Sequence, residues 1–277
     1  METERPDHEV RPRRSRSARS PLGRESGRWS ARNHSRGAML TETVRALEYL
    51  AAGHSVGALR TAIVEQDLLG KRTSHDRRTC WRLLSSRYLH PPVGPAISML
   101  TSLMRTGADD HVVRGALYFH FCLADRLAFE VATDLLWSLD RRGREIVRPS
   151  EVEDFVRQRA ADHPEVLTWA QTTHQALATK LLSAFRDFGR LTGVVTKRLA
   201  QPPLPDTLLL YVCAFLAAEG QSARDIVGAP DFRLWGMSPG DVGTRLARMS
   251  QCQAIRFEWS GDIAVLDLGE RTFPVHA

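Results

Sequence analysis

The sequence of 277 residues has no apolar run long enough for a membrane span and no closely spaced pair of cysteines. Its longest apolar run, residues 207–218, is shorter than the roughly 20 residues of a transmembrane helix, so it is predicted to be a buried helix. The apolar surroundings of Cys80, Cys122, Cys213 and Cys252 predict four buried thiols. Because the N-terminus also lacks the apolar segment of a signal peptide, we predict a cytoplasmic protein without a membrane partner.

The motifs that mark common enzyme classes are also missing. The sequence has no P-loop, no GxGxxG after a predicted strand and no GxSxG. Asp109, His111, His120 and Cys122 are near one another in the sequence, but their spacing matches no known metal signature. A structural role is the better interpretation of these residues. We therefore expect no enzymatic activity, no cofactor and no metal site.

The net charge of +6 is concentrated at the N-terminus. Residues 1–37 hold ten Arg against five Asp or Glu, whereas the rest of the chain is almost balanced. The segment is rich in Arg, Ser, Pro and Gly and poor in apolar residues, so it is predicted to be a disordered tail. Two roles are open to it, a basic arm for nucleic acid or a targeting segment. The alternative is an extension without a role, with Met39 as the true first residue.

The chain beyond this tail is predicted to be mainly α and multi-helical, because apolar residues recur at helical spacing. A first helix is predicted at 41–52. Ser55 can cap a second helix, and Ser74 can cap a third that extends to about residue 88. Two helices joined by a short turn predict a helix-turn-helix unit at about 55–89.

Two further units follow from the order of the predicted helices and strands. In the first, at 151–200, two helices precede a segment of strand character at 194–199, and a winged unit is one interpretation. After a proline-rich break at 201–205, three helices and a β-hairpin have the order of a winged helix over 206–270. The folded chain is thus predicted to comprise a helical domain at 38–200 and a winged-helix-like C-terminal domain.

The third predicted helix carries the best candidate for a DNA-binding face. At 100° per residue, Cys80, Trp81, Leu84 and Tyr88 fall on one side and are expected to face the core. Donor side chains lie on the opposite side and at the helix start, where they suit base edges and phosphates. These candidate contacts are Lys71, Arg72, Ser74, His75, Arg78 and Arg82. The alternative is an ordinary solvated basic face.

A second set of basic residues lies in the possible winged unit. Lys180, Arg186 and Arg190 belong to its second helix, and Lys197 and Arg198 to the segment of strand character. These side chains are candidates for contact with a phosphate backbone. The alternative is that they are ordinary surface lysines and arginines on a packing helix.

The C-terminal unit has mixed charges. Its third helix turns Arg245 and Arg248 outward, but Glu258 and Asp262 lie near the turn of the hairpin, where they would repel phosphate. This unit is therefore predicted to contact protein, or to pack within the chain, rather than to bind DNA.

Several of these segments resemble conserved stretches of the BrxA family, which belongs to BREX phage-defence systems. The most specific is EQDLLGKRT at 65–73 together with the stretch that follows at 77–88. Supporting stretches are SAFRDFG at 183–189, residues 225–234 and SGD at 260–262. The resemblance extends over about 38–270, and the basic tail departs from the family pattern.

The resemblance implies a mainly helical, non-catalytic DNA-binding component of such a system. It would act on duplex DNA beside the methyltransferase, ATPase and phosphatase-like proteins of the same system. The alternative is a protein–protein adaptor in the same defence complex, with only incidental DNA contact, and the acidic C-terminal hairpin favours it.

Overall fold

The computed structural model describes residues 24, 27–34, 36–89, 95–260 and 263–269. Helices dominate these residues, which confirms the predicted mainly α class. The α-helices are α1 (Leu40–Ala51), α2 (Val56–Val64), α3 (Ser74–Tyr88), α4 (Pro95–Arg105), α5 (Asp110–Leu123), α6 (Arg126–Glu130), α7 (Trp137–Arg141), α8 (Pro149–Gln158), α9 (Gln171–Asp187), α10 (Asp206–Ala218), α11 (Ala223–Gly228) and α12 (Pro239–Gln251). The strands are β1 (Ile146–Val147), β2 (Leu191–Thr192), β3 (Lys197–Leu199), β4 (Arg256–Ser260) and β5 (Ile263–Asp267). A π-helical segment, Val131–Leu136, joins α6 to α7, and short 3-10 helices span Arg32–His34, Pro164–Thr168 and Pro230–Trp235.

The centre of the molecule is α5, which is buried around most of its circumference because its sequence is apolar on all sides. It packs against α10, which is buried in the same way, as predicted for residues 207–218. Where the two helices meet, a Cβ on Gly115 would lie 2.1 Å from Cδ2 of Leu208, so the glycine permits the close approach. This contact crosses the predicted boundary at 201–205, and the division into two domains stays a prediction.

Local capping signals explain where the helices of the predicted helix-turn-helix unit begin. The Ser55 hydroxyl accepts a hydrogen bond from the backbone N–H of Ala58 at 3.1 Å, as predicted for α2. At α3 the cap is Thr73 rather than Ser74, because the Thr73 hydroxyl accepts from the backbone N–H of Asp76 at 3.1 Å. The shift by one residue leaves the predicted extent of α3 unchanged.

The end of the predicted tail belongs to the fold. Trp29 and Ala38 are buried, and the Trp29 ring stacks on His163 with 3.9 Å between ring centroids. The prediction of disorder over 1–37 is therefore wrong for residues 27–34, 36 and 37. The prediction was based on composition, which does not show that a single buried tryptophan and a few hydrogen-bonded polar groups can hold a short segment on the fold. Residues 1–23, 25, 26 and 35 lie outside the described part of the chain.

Two antiparallel sheets occupy the second half of the chain. The first has the strand order β1-β3-β2, with Ile146 opposite Arg198 and Leu191 opposite Leu199. Its strand β1 was not predicted, because five of the eight side chains at 141–148 are charged and the segment has no strand pattern. The second is the hairpin β4-β5, which was predicted. Gly261 and Asp262 of its turn lie outside the described residues.

Burial departs from prediction at two side chains, Cys252 and Trp81, and Arg87 is buried without having been assigned to either side of its helix. Cys80, Cys122 and Cys213 are buried as predicted, but Cys252 is exposed because it follows the last turn of α12. On α3, Trp81 is only partly buried, whereas Arg87 is 4% exposed. In the described ranges, no helix combines the length and the apolar character needed to cross a membrane.

Candidate nucleic-acid interface

The turn between α2 and α3 is fixed by its own backbone. Gly70 has a φ of 65°, in the left-handed region that glycine tolerates best, and Asp67 has a φ of 58°. The Asp67 carboxylate accepts a hydrogen bond from the backbone N–H of Lys71 at 2.6 Å. These features set the direction in which α3 leaves the turn and therefore which of its faces meets solvent.

The predicted donor face of α3 is largely exposed. The side chains that reach solvent are Arg72, Ser74, His75, Arg78 and Arg82. Arg78 donates to the Ser74 hydroxyl at 3.3 Å, so these two residues, one turn apart, lie side by side. Within the described ranges, neither Arg72 nor Arg82 has an acidic partner. All five side chains are thus accessible to a ligand, Arg72 from the turn before the helix and the other four from α3 itself, and their contact with DNA stays a prediction.

Lys71 differs from the other candidates. Its ammonium nitrogen lies 2.7 Å from Oε1 of Glu42 on α1. This hydrogen bond raises the pKa of Lys71, and the same contact opposes the effect of burial enough to lower the pKa of Glu42. Lys71 thus links the turn to α1, and the Glu42 carboxylate partly offsets its charge in the absence of a ligand.

The one acidic side chain in the first turn of α3 is also offset. Asp76 lies 2.5 Å from the Arg36 guanidinium, which comes from the segment that was predicted to be disordered. Because this arginine neutralises Asp76, the start of α3 presents little repulsion to a phosphate. The sequence could not reveal this pairing, since the two residues are 40 positions apart.

A second polar face, on α9, was missed at the sequence level. Its exposed side chains are Gln171, Thr172, Gln175, Thr179 and Lys180. No acidic residue precedes Asp187 in this helix. Amide and hydroxyl side chains of this kind suit the edges of bases in a major groove. These polar residues recur at helical spacing in the sequence, so the face could have been predicted. It was missed because only charged side chains were considered as DNA contacts on this helix.

The basic residues near α9 and the β2–β3 turn are less available than predicted. Arg186 lies 2.6 Å from Asp187, and exposed Arg198 lies 3.0 Å from exposed Glu145, a surface pair that water screens. Arg190 is fully buried, with Asp140 3.1 Å away. Only Lys180 among the predicted residues of this unit is exposed and without an acidic partner in the described part of the chain.

Lys197 has a different place from the one predicted. Its side chain is 8% exposed, and its ammonium donates to the backbone carbonyls of Gly193 at 3.1 Å and Val194 at 2.5 Å. Burial lowers the pKa of this ammonium, and the charge of Arg186 lowers it further. Lys197 therefore braces the β2–β3 turn from inside, which corrects its assignment as a phosphate contact.

Gly193 is expected to be essential to the same turn. It has a φ of 83°, and a Cβ would lie 2.0 Å from the backbone oxygen of Thr196. We expect Gly193→Ala to lower the free energy of unfolding by at least about 1 kcal/mol more than Gly143→Ala in urea denaturation. Gly143 is the matched control, because its φ is 69° but nothing lies within 4 Å of a Cβ there. Equal losses would mean that the turn relaxes freely.

The C-terminal unit presents a different surface. Arg245 and Arg248 both approach Asp206 of α10, at 2.6 Å and 3.5 Å, so they face an acid of the same chain. The hairpin exposes apolar side chains instead, with Trp259 46% and Ile263 71% exposed. This arrangement resembles a protein contact more than a phosphate contact.

The residues considered as a metal cluster have separate structural roles. The Asp109 carboxylate accepts from the backbone N–H of His111 at the start of α5, and His111 is exposed. His120 is buried and shares a hydrogen bond of 2.6 Å with the Tyr211 hydroxyl. In the described residues, no group of three or more His, Cys, Asp or Glu side chains is arranged to hold a metal ion.

Comparison with known proteins identifies a family, and it also finds a crystal structure of similar fold. The model of a family described as BrxA matches residues 27–214, more than half of the chain. A crystal structure of an uncharacterized protein from Magnetospirillum magneticum is similar to this chain, with 18% identity and a TM-score of 0.58. The similarity covers 76% of this chain and 100% of that one, and it shows likeness of fold. Among curated proteins, none matches this sequence.

The limits of the family match differ from those of the predicted resemblance. The match begins at residue 27, inside the predicted tail, and ends within α10. It therefore includes the stretches at 65–88 and 183–189, but the supporting stretches at 225–234 and 260–262 lie beyond it. The start at residue 27 agrees with the packing of Trp29 into the core.

Proposed function

The chain belongs to the BrxA family, which supports a role in BREX phage defence, and we propose that it serves there as a non-catalytic, cytoplasmic protein that binds duplex DNA largely through backbone phosphates. The observation that carries this proposal is the exposed donor face of α3. Arg72, Arg78 and Arg82 reach solvent there, and Arg36 neutralises Asp76 in the first turn. A helix start of this kind also directs backbone N–H groups towards an anion.

A second DNA-contacting unit is part of the proposal. The order β1, α8, α9, β2, β3, with β3 central in the sheet, is the order of a winged helix. In that arrangement α9 would occupy the position of the recognition helix, and its Gln175 and Thr179 would face the bases. Lys180 would add a phosphate contact at the side of the groove.

The dependence of affinity on salt tests the proposal. For a short duplex, we expect Arg78→Ala combined with Arg82→Ala to flatten the slope of log affinity against log salt by about 2, since each neutralised phosphate contributes about 0.9. Arg248→Ala combined with Arg256→Ala is the matched control. It removes the same charge from exposed positions on the C-terminal unit and should leave the slope nearly unchanged.

Two outcomes would contradict the proposal. Lack of any complex between the unmodified protein and duplex DNA at low salt would exclude DNA binding as its function. An equal flattening by both double variants would show that only net charge matters and that the α3 face has no special part in binding.

A second candidate function is an adaptor that joins other proteins of the BREX system. The exposed side chains of Trp259, Ile263 and Val265 on the C-terminal hairpin favour it, because apolar side chains grouped on one element suit a protein partner. Full phage protection and retained partner binding in the Arg78→Ala, Arg82→Ala variant would support the adaptor over the DNA-binding function.

A further inference from the structure

The β2–β3 turn presents two neighbouring valines to solvent. Val194 is 76% exposed and Val195 is 95% exposed, and Val195 is the most exposed large apolar side chain of the described residues. Single exposed apolar residues are ordinary on protein surfaces. Two in succession at the tip of a hairpin are less so, because both side chains stay hydrated unless a ligand covers them.

The turn holds these valines in a fixed position. Thr192 pairs with Arg198 across the hairpin, and the Lys197 ammonium donates to the carbonyls of Gly193 and Val194 beneath the tip. A Cβ on Gly193 would clash with the backbone oxygen of Thr196, so the two ends of the turn approach each other closely. A braced tip loses little conformational entropy when it inserts into a ligand.

The surroundings of the tip carry no unpaired acidic side chain among the described residues that would repel a polyanion. From Phe188 to Ala200 the sequence has no acidic residue, and the exposed side chains beside the valines are Thr192, Thr196 and Arg198. The nearest described acid on the neighbouring strand end, Glu145, is paired with Arg198. A protein partner fits less well, because a stable interface covers about 800 Å² on each side and two valines supply only a small part of that.

We propose that Val194 and Val195 form an apolar wedge that enters the minor groove of duplex DNA and partly opens a base step, while α9 lies in the adjacent major groove. The proposal rests on the proposed function, which it deepens by assigning a second, non-ionic mode of DNA contact. Apolar wedges of this type kink a duplex towards its major groove, and the cost of unstacking is offset by the larger contact surface.

The wedge predicts a loss of affinity that salt does not alter. In the full chain, Val194→Ser combined with Val195→Ser should weaken binding to a short duplex about tenfold, because the burial of apolar surface is lost. The slope of log affinity against log salt should stay the same, since valine insertion releases no counterions. Energy transfer between dyes at the two duplex ends should report a bend with the unmodified protein and less bend with the variant.

Two controls complete the experiment. Ile263→Ser removes an apolar side chain of nearly the same exposure as Val194 from the other hairpin, and it should change neither affinity nor bend. Val194→Thr combined with Val195→Thr keeps the branched shape of both side chains, so it checks that the turn itself is intact. Because both valines are exposed, all variants should keep the helix content and the melting temperature of the unmodified protein.

The possible results separate the wedge from the function on which it rests. Unchanged affinity and bend in the serine variant overturn the wedge and leave phosphate binding in place. A flatter salt slope in that variant also overturns it, because the loss would then be ionic. Normal DNA binding with loss of a BREX protein partner would make the tip a protein contact. Absence of DNA binding by the unmodified protein overturns the proposed function together with the wedge.

Discussion

A chain that begins at Met39 should lose at least about 5 kcal/mol of its free energy of unfolding. One part of this loss comes from Trp29, which is 3% exposed and stacks on His163. Its backbone N–H also donates to Glu165 at 2.5 Å. Truncation of a buried tryptophan to alanine typically costs about 3 to 5 kcal/mol, because a large cavity remains. Removal of the whole segment leaves the same cavity open to water.

The other part comes from a polar network beneath the segment. The side-chain amide of Asn33 donates to Asp125 at 2.8 Å, and its carbonyl accepts from Arg87 at 2.6 Å. Arg87 also donates to the backbone carbonyl of Gly37 at 2.8 Å. Without residues 1–38, a buried guanidinium and a buried carboxylate both lose hydrogen-bond partners, and each such loss is strongly destabilising. The sum approaches the total stability of an ordinary domain, about 5 to 15 kcal/mol.

Urea denaturation followed by circular dichroism would measure this loss. The matched control is a chain that lacks only residues 1–23, which keeps the contacts of Trp29, Asn33 and Gly37 given above and should be much more stable than the chain that begins at Met39. If the chain that begins at Met39 is equally stable, the segment contributes nothing to the fold, and its interpretation as an extension without a role would be correct after all.

Features that depend on neighbours in the sequence were predictable. The helices α1 and α3 begin and end within one or two residues of the predicted positions, and α2 begins directly after its predicted cap Ser55, because apolar spacing and caps act over a single turn. The end of α2 was not predicted, since it lies at Val64, before the apolar Leu68. The β4–β5 hairpin was predicted for the same reason. Strand β1 was not, since its two residues become a strand only by pairing with Lys197 and Arg198, about 50 positions away.

The same distinction between local and distant interactions applies to the candidate site. The exposed face of α3 follows from helical geometry alone, so Arg78 and Arg82 could be placed on it from the sequence. Whether a basic side chain is free to meet a phosphate depends instead on distant residues. Lys71 is held by Glu42, and Arg190 by Asp140, and neither partner is suggested by any local pattern. Positive charge in a sequence therefore overstates the positive charge that a ligand meets.

Replacement of His120 should make the protein markedly less sensitive to acid. His120 lies between Phe119, Tyr211 and Phe215 in the contact of α5 with α10, and burial lowers its pKa to about 3, assisted by the charge of Arg24. The unfolded chain binds a proton at this imidazole near pH 6.5, whereas the folded chain does not. The contribution of His120 to stability is therefore complete above pH 6.5 and is lost as the pH falls towards 3, by about 3 kcal/mol at pH 4.5.

The measurement is the free energy of unfolding at pH 7 and pH 4.5, for the unmodified protein and for His120→Gln. Burial raises the pKa of Asp125 and of Asp231, so these carboxyls stabilise the fold as the pH falls, opposite to His120. Both are present in both proteins, so the difference between the two pH effects isolates the imidazole. Equal losses in the two proteins would mean that water or a shift of α10 admits the proton without cost. A difference of about 3 kcal/mol would show instead that the α5–α10 contact stays dry and closed at low pH.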